Sequence, residues 1–211
     1  MTIIKSNGAD SNLVIMQYLK TVYSSKERYY HDINHINYMR SKLMEYVSSE
    51  MSIDDFPIFR DILTAIWFHD IEYNIWNPPG FNESQSVDQY MSIYGLTELD
   101  SVGRAIVATA SHLEDQIIPD TDEGTIIKVL LDIDLVSFAE AFDIVLYNSE
   151  NVLREYEPMQ LERNILLQNR NNFLGKLLKR QRLFYTDYFY NLYEEPARSN
   201  IDRLIEHTYR F

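Results

Sequence analysis

The chain has 211 residues and a formal net charge of −13 at pH 7; 45% of its residues are hydrophobic and none is cysteine. This length and this apolar content suffice for one domain with a sizeable core. The negative charge argues against a groove for duplex nucleic acid, because phosphate contacts need clustered lysine and arginine. The cysteine count excludes disulfides, thiolate nucleophiles and cysteine-based zinc sites.

Hydrophobic spacing predicts helices throughout the chain, and only 6 glycines and 6 prolines interrupt them. In chain order, the predicted helices span residues 11–23, 32–47, 56–72, 82–95, 97–112, 125–138, 140–156, 159–188 and 194–208. Capping residues are expected at Asp54 or Asp55, at Asn82 and at Thr97. We therefore predict an all-α protein with a single domain over residues 1–211, in which residues 1–10 are flexible.

Two features bear on the location of the protein. No run of about 18 or more apolar residues occurs, as a membrane-spanning helix would require. Residues 1–10 lack the apolar stretch of a signal peptide. We expect a cytoplasmic protein with no membrane partner, either a monomer or a homodimer.

Four side chains suited to binding a metal fall on or beside the apolar stripes of three predicted helices: His35, His69, Asp70 and Asp134. Each lies three or four residues from a predicted core residue of its own helix, as Asp134 does from Leu130. A buried carboxylate needs a cation or strong hydrogen bonds. A lone core histidine is more often structural, but two imidazoles and two carboxylates together suit a divalent metal ion.

The segment Asp132-Ile133-Asp134 offers two candidate carboxylates. Asp132 lies four residues after Lys128, on the more polar side of the predicted helix. The spacing therefore predicts Asp134 as the ligand, with Asp132 either at the surface or supporting the ligands from behind.

Seven short segments, spread over most of the chain, carry its recognisable motifs. In chain order they are residues 28–36, 65–73, 82–86, 108–112, 131–135, 154–156 and 197–201. They contain the pattern His35, then His69-Asp70, then Asp134. This pattern resembles the HD-domain superfamily of metal-dependent phosphohydrolases, and the chain is similar to its branch of predicted metal-dependent HD phosphohydrolases.

The resemblance implies a single HD-domain-like helical bundle with a central metal site and a C-terminal helical extension. It implies that His35, His69, Asp70 and Asp134 bind a divalent metal ion, whose identity stays open among Mn, Co, Ni, Mg, Fe and Zn. It also implies hydrolysis of a phosphoester in a small phosphorylated molecule, with a nucleotide as the expected class. Metal-activated water would attack the phosphorus.

The general acid or base is less clear from the residues. Many nucleotidase-type members of the superfamily place a glutamate three residues after the His-Asp pair, whereas this chain has Tyr73 there and Glu72 beside it. On a helix this shift turns the side chain by about 100°. Glu83, at the start of the fourth predicted helix, is the first candidate to orient the water or transfer a proton, and Glu72 is the second.

Further residues are candidates for binding the substrate. Arg28, Arg154 and Arg198 lie in the matching segments, and a guanidinium can make two parallel bonds to phosphate. A structural or surface salt bridge is the alternative for each. His31 can bind phosphate or orient a ligand, and His112 can line the pocket or bind a second ion.

Three other functions remain open at this stage. The first is a non-catalytic protein that binds a nucleotide or second messenger. The second is a cyclic nucleotide or cyclic dinucleotide phosphodiesterase. The third is an oxygenase with two iron ions, which would need more ligands than the four predicted here.

Overall fold

The computed structural model describes the backbone of residues 8–208 and the side chains of residues 12–207. Within these residues all regular structure is helical, which confirms the predicted all-α class. The α-helices are α1 Gly8–Tyr23, α2 Ile33–Glu50, α3 Phe56–Phe68, α4 Phe81–Tyr94, α5 Ser101–Ala108, α6 Asp122–Leu135, α7 Phe142–Glu155, α8 Arg163–Leu177 and α9 Asp187–Thr208. Residues 1–7 of the stretch predicted to be flexible lie outside the described residues, and α1 already begins at Gly8. None of the described helices is long and apolar enough to cross a lipid bilayer.

The core is built around α6, which packs against α2, α3 and α5. Val129, Leu130 and Ile133 of α6 are fully buried. A helix that is apolar on nearly all sides is stable only when other helices surround it. Each such side chain contributes roughly 1.5–3 kcal/mol on burial.

Polar caps fix where several of these helices begin. The Asp32 carboxylate accepts the N–H groups of Asn34 and His35 at the start of α2. Thr121 caps α6 in the same way. The prediction of Thr97 as the cap of the fifth helix is wrong, since Asp100 caps α5.

The predicted caps at Asn82 and Asp55 also differ from the structure. Gly80, in a left-handed conformation with φ of 80°, precedes α4, so Asn82 lies inside the helix. Its amide oxygen accepts the N–H of Asn74, so it ties the preceding loop to the helix. Asp55 does precede α3, but its carboxylate accepts the N–H of Ser52 and makes no capping bond to α3.

The third helix ends at Phe68, four residues earlier than predicted. His69 and Asp70 therefore occupy the turn that follows α3. Arg28 stabilises this turn by donating hydrogen bonds to the carbonyl oxygens of Asp70, at 2.7 Å, and Ile71, at 2.8 Å. Carbonyl groups at a helix end need such donors.

The prediction of one long helix over residues 159–188 is wrong. The chain leaves α8 after Leu177, runs without helical structure through residues 178–186, and enters α9 at Asp187. We call residues 178–186 the strap. α9 begins seven residues before the predicted residue 194 and contains Pro196.

Buried carboxylates hold the strap in place. Glu194 accepts the backbone N–H groups of Leu183 and Phe184. Asp132 accepts those of Tyr185, at 2.6 Å, and Thr186, at 2.8 Å. The expectation of Asp132 at the surface is wrong: its exposure is 0%, because the strap covers the side of α6 that Lys128 made look polar.

We expect Asp132→Ala to lower the free energy of unfolding by about 3 kcal/mol, since it leaves buried backbone N–H groups of the strap without an acceptor. Urea unfolding measures this loss. Asp88→Ala, at an exposed position of α4, is the matched control and should change the free energy by less than about 0.5 kcal/mol. Equal effects of the two substitutions would contradict the assigned role of Asp132.

Candidate metal centre

The described structure brings His35 of α2 together with His69 and Asp70 of the turn after α3. The two imidazole rings lie 5.6 Å apart between centroids. One potential ligand atom from each of the three residues lies within 4.8 Å of the other two. This group can hold a metal ion.

Two nitrogen atoms of this group are buried and without a hydrogen-bond partner. They are Nε2 of His35 and Nε2 of His69; Oδ2 of Asp70 lies 3.0 Å from the latter but without the geometry of a hydrogen bond. The Nδ1 atom of His69 lies 2.9 Å from the carbonyl oxygen of Ile66, to which it donates. In the neutral ring this bond leaves the lone pair on Nε2, as metal binding requires. Buried polar atoms are normally paired, so a cation here would satisfy both nitrogens.

Asp134 reaches the same place from α6. Its Oδ1 atom lies 3.2 Å from Nε2 of His35 and 3.8 Å from Nε2 of His69. Its Oδ2 atom lies 2.8 Å from Nε2 of His112. The four predicted ligands are thus neighbours, and we refer to His35, His69, Asp70 and Asp134 as the cluster.

The charges of the cluster favour positive charge beside its carboxylates. Burial acts to lower the pKa of His69, but Asp70 and Asp134 outweigh this effect and raise that pKa to about 9. Burial acts to raise the pKa of Asp134, but the hydrogen bond with His112, the nearby ring of His35 and the charge of His69 lower it well below its ordinary value. A proton on an imidazole therefore offsets the carboxylates in the metal-free protein. A divalent cation can take over this role.

His31 stands beside the cluster and is held by Glu155, a residue that the sequence analysis did not single out. Nδ1 of His31 lies 2.7 Å from Oε2 of Glu155. The other carboxylate oxygen of Glu155 accepts the backbone N–H groups of Tyr29, Tyr30 and His31. Glu155 thus fixes both the ring of His31 and the segment that carries it.

Tyr73 completes the surroundings of His31. Its ring stacks on the His31 ring with 4.3 Å between centroids. Burial acts to lower the pKa of His31, but the hydrogen bond to Glu155 and the charge of Asp70 raise it above its ordinary value. His31 is therefore oriented from one side and more readily protonated than a free histidine.

The two glutamates predicted as acid or base have different positions. The carboxylate of Glu72 accepts a hydrogen bond from Gln89 of α4. Glu83 lies near Tyr156, whose pKa is raised by burial and by the charges of Glu155 and Glu83. Neither glutamate makes a described contact with the cluster.

The three arginines predicted to bind phosphate are engaged to different degrees. The guanidinium group of Arg28 is occupied by three carbonyl oxygens, including that of His31. Arg198 pairs with Glu194 and donates to carbonyl oxygens of the strap, so it stabilises the C-terminal part. Arg154 is exposed and lies 4.1 Å above the ring of Tyr29, in a surface cleft next to Glu155.

Comparisons with known proteins identify no relative of this chain. No family model matches its sequence, no curated protein matches it, and no solved structure matches its fold.

We expect the wild-type protein to bind about one divalent ion per chain, as one four-ligand site would. His69→Ala removes one of the unpaired nitrogens and should weaken the affinity at least tenfold. Elemental analysis after purification without chelators measures the stoichiometry, and competition with a chelator measures the affinity. His207→Ala, in α9, is the control and should keep the metal. A wild type that takes up no divalent ion when supplied with one would contradict the site.

Proposed function

We propose that the protein is a metal-dependent phosphohydrolase that acts on a small phosphoester, with a nucleotide as the expected class. The observation that carries the proposal is the pair of buried, unpaired imidazole nitrogens facing two carboxylates. The resemblance of the sequence to HD phosphohydrolases agrees with this chemistry. A divalent ion bound there would neutralise charge on a phosphate and lower the pKa of a water molecule.

The exposure of the cluster favours catalysis over a purely structural site. The side chains of His35 and His69 are 2% and 1% exposed, whereas those of Asp70 and Asp134 are 18% and 19% exposed. The cluster is therefore closed on the imidazole side and open on the carboxylate side. Catalytic metal sites keep such an open position for water and substrate, and structural sites do not.

The proposed acid is His31, in place of the glutamates favoured by the sequence alone. Its side chain is 20% exposed, and Glu155 occupies Nδ1, so Nε2 is the nitrogen free to meet a substrate. During hydrolysis a bond forms between water and phosphorus while the bond to the leaving oxygen breaks. His31 donates a proton to that oxygen and then regains one from the proton that the attacking water releases.

A substrate screen tests the function directly. The protein is incubated with nucleotides, phosphate monoesters and phosphodiesters in the presence of Mn²⁺, Co²⁺, Ni²⁺ or Mg²⁺, and the products are quantified. We expect turnover that Asp70→Asn abolishes. Metal binding without turnover of any of these compounds, but with tight binding of a nucleotide, would favour the non-catalytic alternative.

The role of His31 is tested by comparing substrates whose leaving groups differ in their need for a proton. A p-nitrophenolate ion leaves without help from an acid, whereas an alkoxide needs a proton. We expect His31→Gln to lower kcat for an alkyl or nucleoside phosphate about 10²–10⁴-fold and to lower kcat for p-nitrophenyl phosphate less than about tenfold.

Two checks accompany this measurement. Metal content must be the same in His31→Gln and in the wild type, so that loss of activity is not loss of the ion. His207→Gln should leave both substrates unaffected. Equal reductions of kcat on the two substrates would indicate that His31 binds the substrate and does not act as the acid.

A further inference from the structure

One ring nitrogen of His112 has no hydrogen-bond partner, so the ring is oriented by its contact with Asp134 and by the backbone that carries it. Its Nε2 atom lies 2.8 Å from Oδ2 of Asp134, and a carboxylate accepts hydrogen bonds, so we assign this nitrogen as the donor. Its Nδ1 atom is buried and makes no hydrogen bond. His112 begins a non-helical segment that continues to Thr121. The direction of the ring therefore depends on what fixes this segment.

Two side chains of the strap contact the segment at residues 112, 114 and 116. Nη1 of Arg180 donates to the carbonyl oxygen of His112 at 3.0 Å. The hydroxyl of Tyr185 donates to the carbonyl oxygen of Glu114 at 3.3 Å and accepts the N–H of Gln116 at 3.2 Å. The Arg180 guanidinium also lies 4.9 Å from the centre of the Tyr185 ring. The two side chains thus form one unit, which we call the clasp.

The clasp is anchored to the same helix that supplies Asp134. Asp132 accepts the backbone N–H groups of Tyr185 and Thr186. Asp132 and Asp134 are two residues apart on α6. One helix therefore fixes the carboxylate and, through the strap and residues 112–116, the histidine that contacts it.

We propose that Arg180 and Tyr185 are positioning residues for the metal centre. They fix the backbone of residues 112–116, so that His112 engages Oδ2 of Asp134 and leaves Oδ1 directed at the two unpaired imidazole nitrogens. The inference rests on the proposed metal-dependent function but is measured through metal affinity and ring geometry, with no substrate needed. Partners behind metal ligands typically change affinity 10–100-fold.

The first experiment compares substitutions within the strap. Arg180→Met keeps much of the side-chain volume and removes the donors, and Tyr185→Phe removes only the hydroxyl. Arg182→Met is the matched control, because Arg182 lies in the same strap but contacts Thr186, Asp187 and the ring of Tyr190, and makes no described contact with residues 112–116. Chelator competition should show about a tenfold loss of metal affinity for Arg180→Met, a smaller loss for Tyr185→Phe and less than a twofold change for Arg182→Met.

A double-mutant cycle separates positioning from general destabilisation. If Arg180 acts through His112, then Arg180→Met should weaken metal binding in the wild type and change it less than twofold in a His112→Ala background. Equal losses in both backgrounds would overturn the proposal. Arg180→Lys, which can still reach the His112 carbonyl, should recover part of the affinity.

A measurement on the metal-free protein tests the clasp independently of the proposed function. Nuclear magnetic resonance of ¹⁵N-labelled histidine reports the Nε2–H group of His112 and its exchange with water. We expect faster exchange in Arg180→Met and in Tyr185→Phe, and no change in Arg182→Met. Unchanged exchange in both clasp variants would overturn the proposal whatever the substrate screen finds. Tyr185→Phe still provides the test if Arg180→Met does not fold.

Discussion

The structure depends on two buried imidazoles that face two partly exposed carboxylates at the junction of α2, α3 and α6. The Nε2 atoms of His35 and His69 have no hydrogen-bond partner, and Asp134 Oδ1 lies within 3.8 Å of both. Uncompensated charge in such a place opposes folding. The raised pKa of His69 shows that a proton offsets part of it, and a divalent cation would offset it without leaving the nitrogens unpaired.

Buried carboxylates outside the cluster stabilise the backbone of non-helical segments, as their hydrogen-bond partners show. Glu155 accepts three backbone N–H groups ahead of α2, Asp132 accepts two in the strap, and Glu194 accepts two more there. Each satisfies a stretch of backbone that has no helical partners of its own. All three accept backbone N–H groups, although Glu155 also contacts the His31 ring, whereas the described contacts of the cluster's carboxylates are with imidazoles. The partners therefore distinguish carboxylates that shape the chain from those suited to a metal.

Helical periodicity predicted the features that depend on local spacing. It gave the all-α class and most helices to within a few residues, and it selected Asp134 over Asp132 as the carboxylate directed at the histidines. It failed where a distant segment determines the structure. The polar side of α6 is covered by the strap, and the strap itself interrupts what spacing alone made one helix over residues 159–188.

The same difference between local spacing and contacts from distant segments explains why the sequence did not predict a role for Glu155. It lies 124 residues from His31, and the segment of residues 154–156 that contains it predicted a role for Arg154 only. The glutamates near the His-Asp pair in sequence attracted attention instead, yet Glu72 faces Gln89. A carboxyl group in an apolar helix is recognisable from spacing, but the identity of its partner is a property of the tertiary fold.

The arrangement of cations bears on how a phosphate would be held in the proposed reaction. A divalent ion would balance the two carboxylates of the cluster and leave little charge to attract a phosphate dianion. Arg28 and Arg198 are occupied by carbonyl oxygens and by Glu194. Among the described residues, the imidazoles of His31 and His112 lie beside the cluster, each held from behind, by Glu155 and by the clasp. Orientation of these two rings then matters more than total charge, and it depends on segments that come together only in the folded chain.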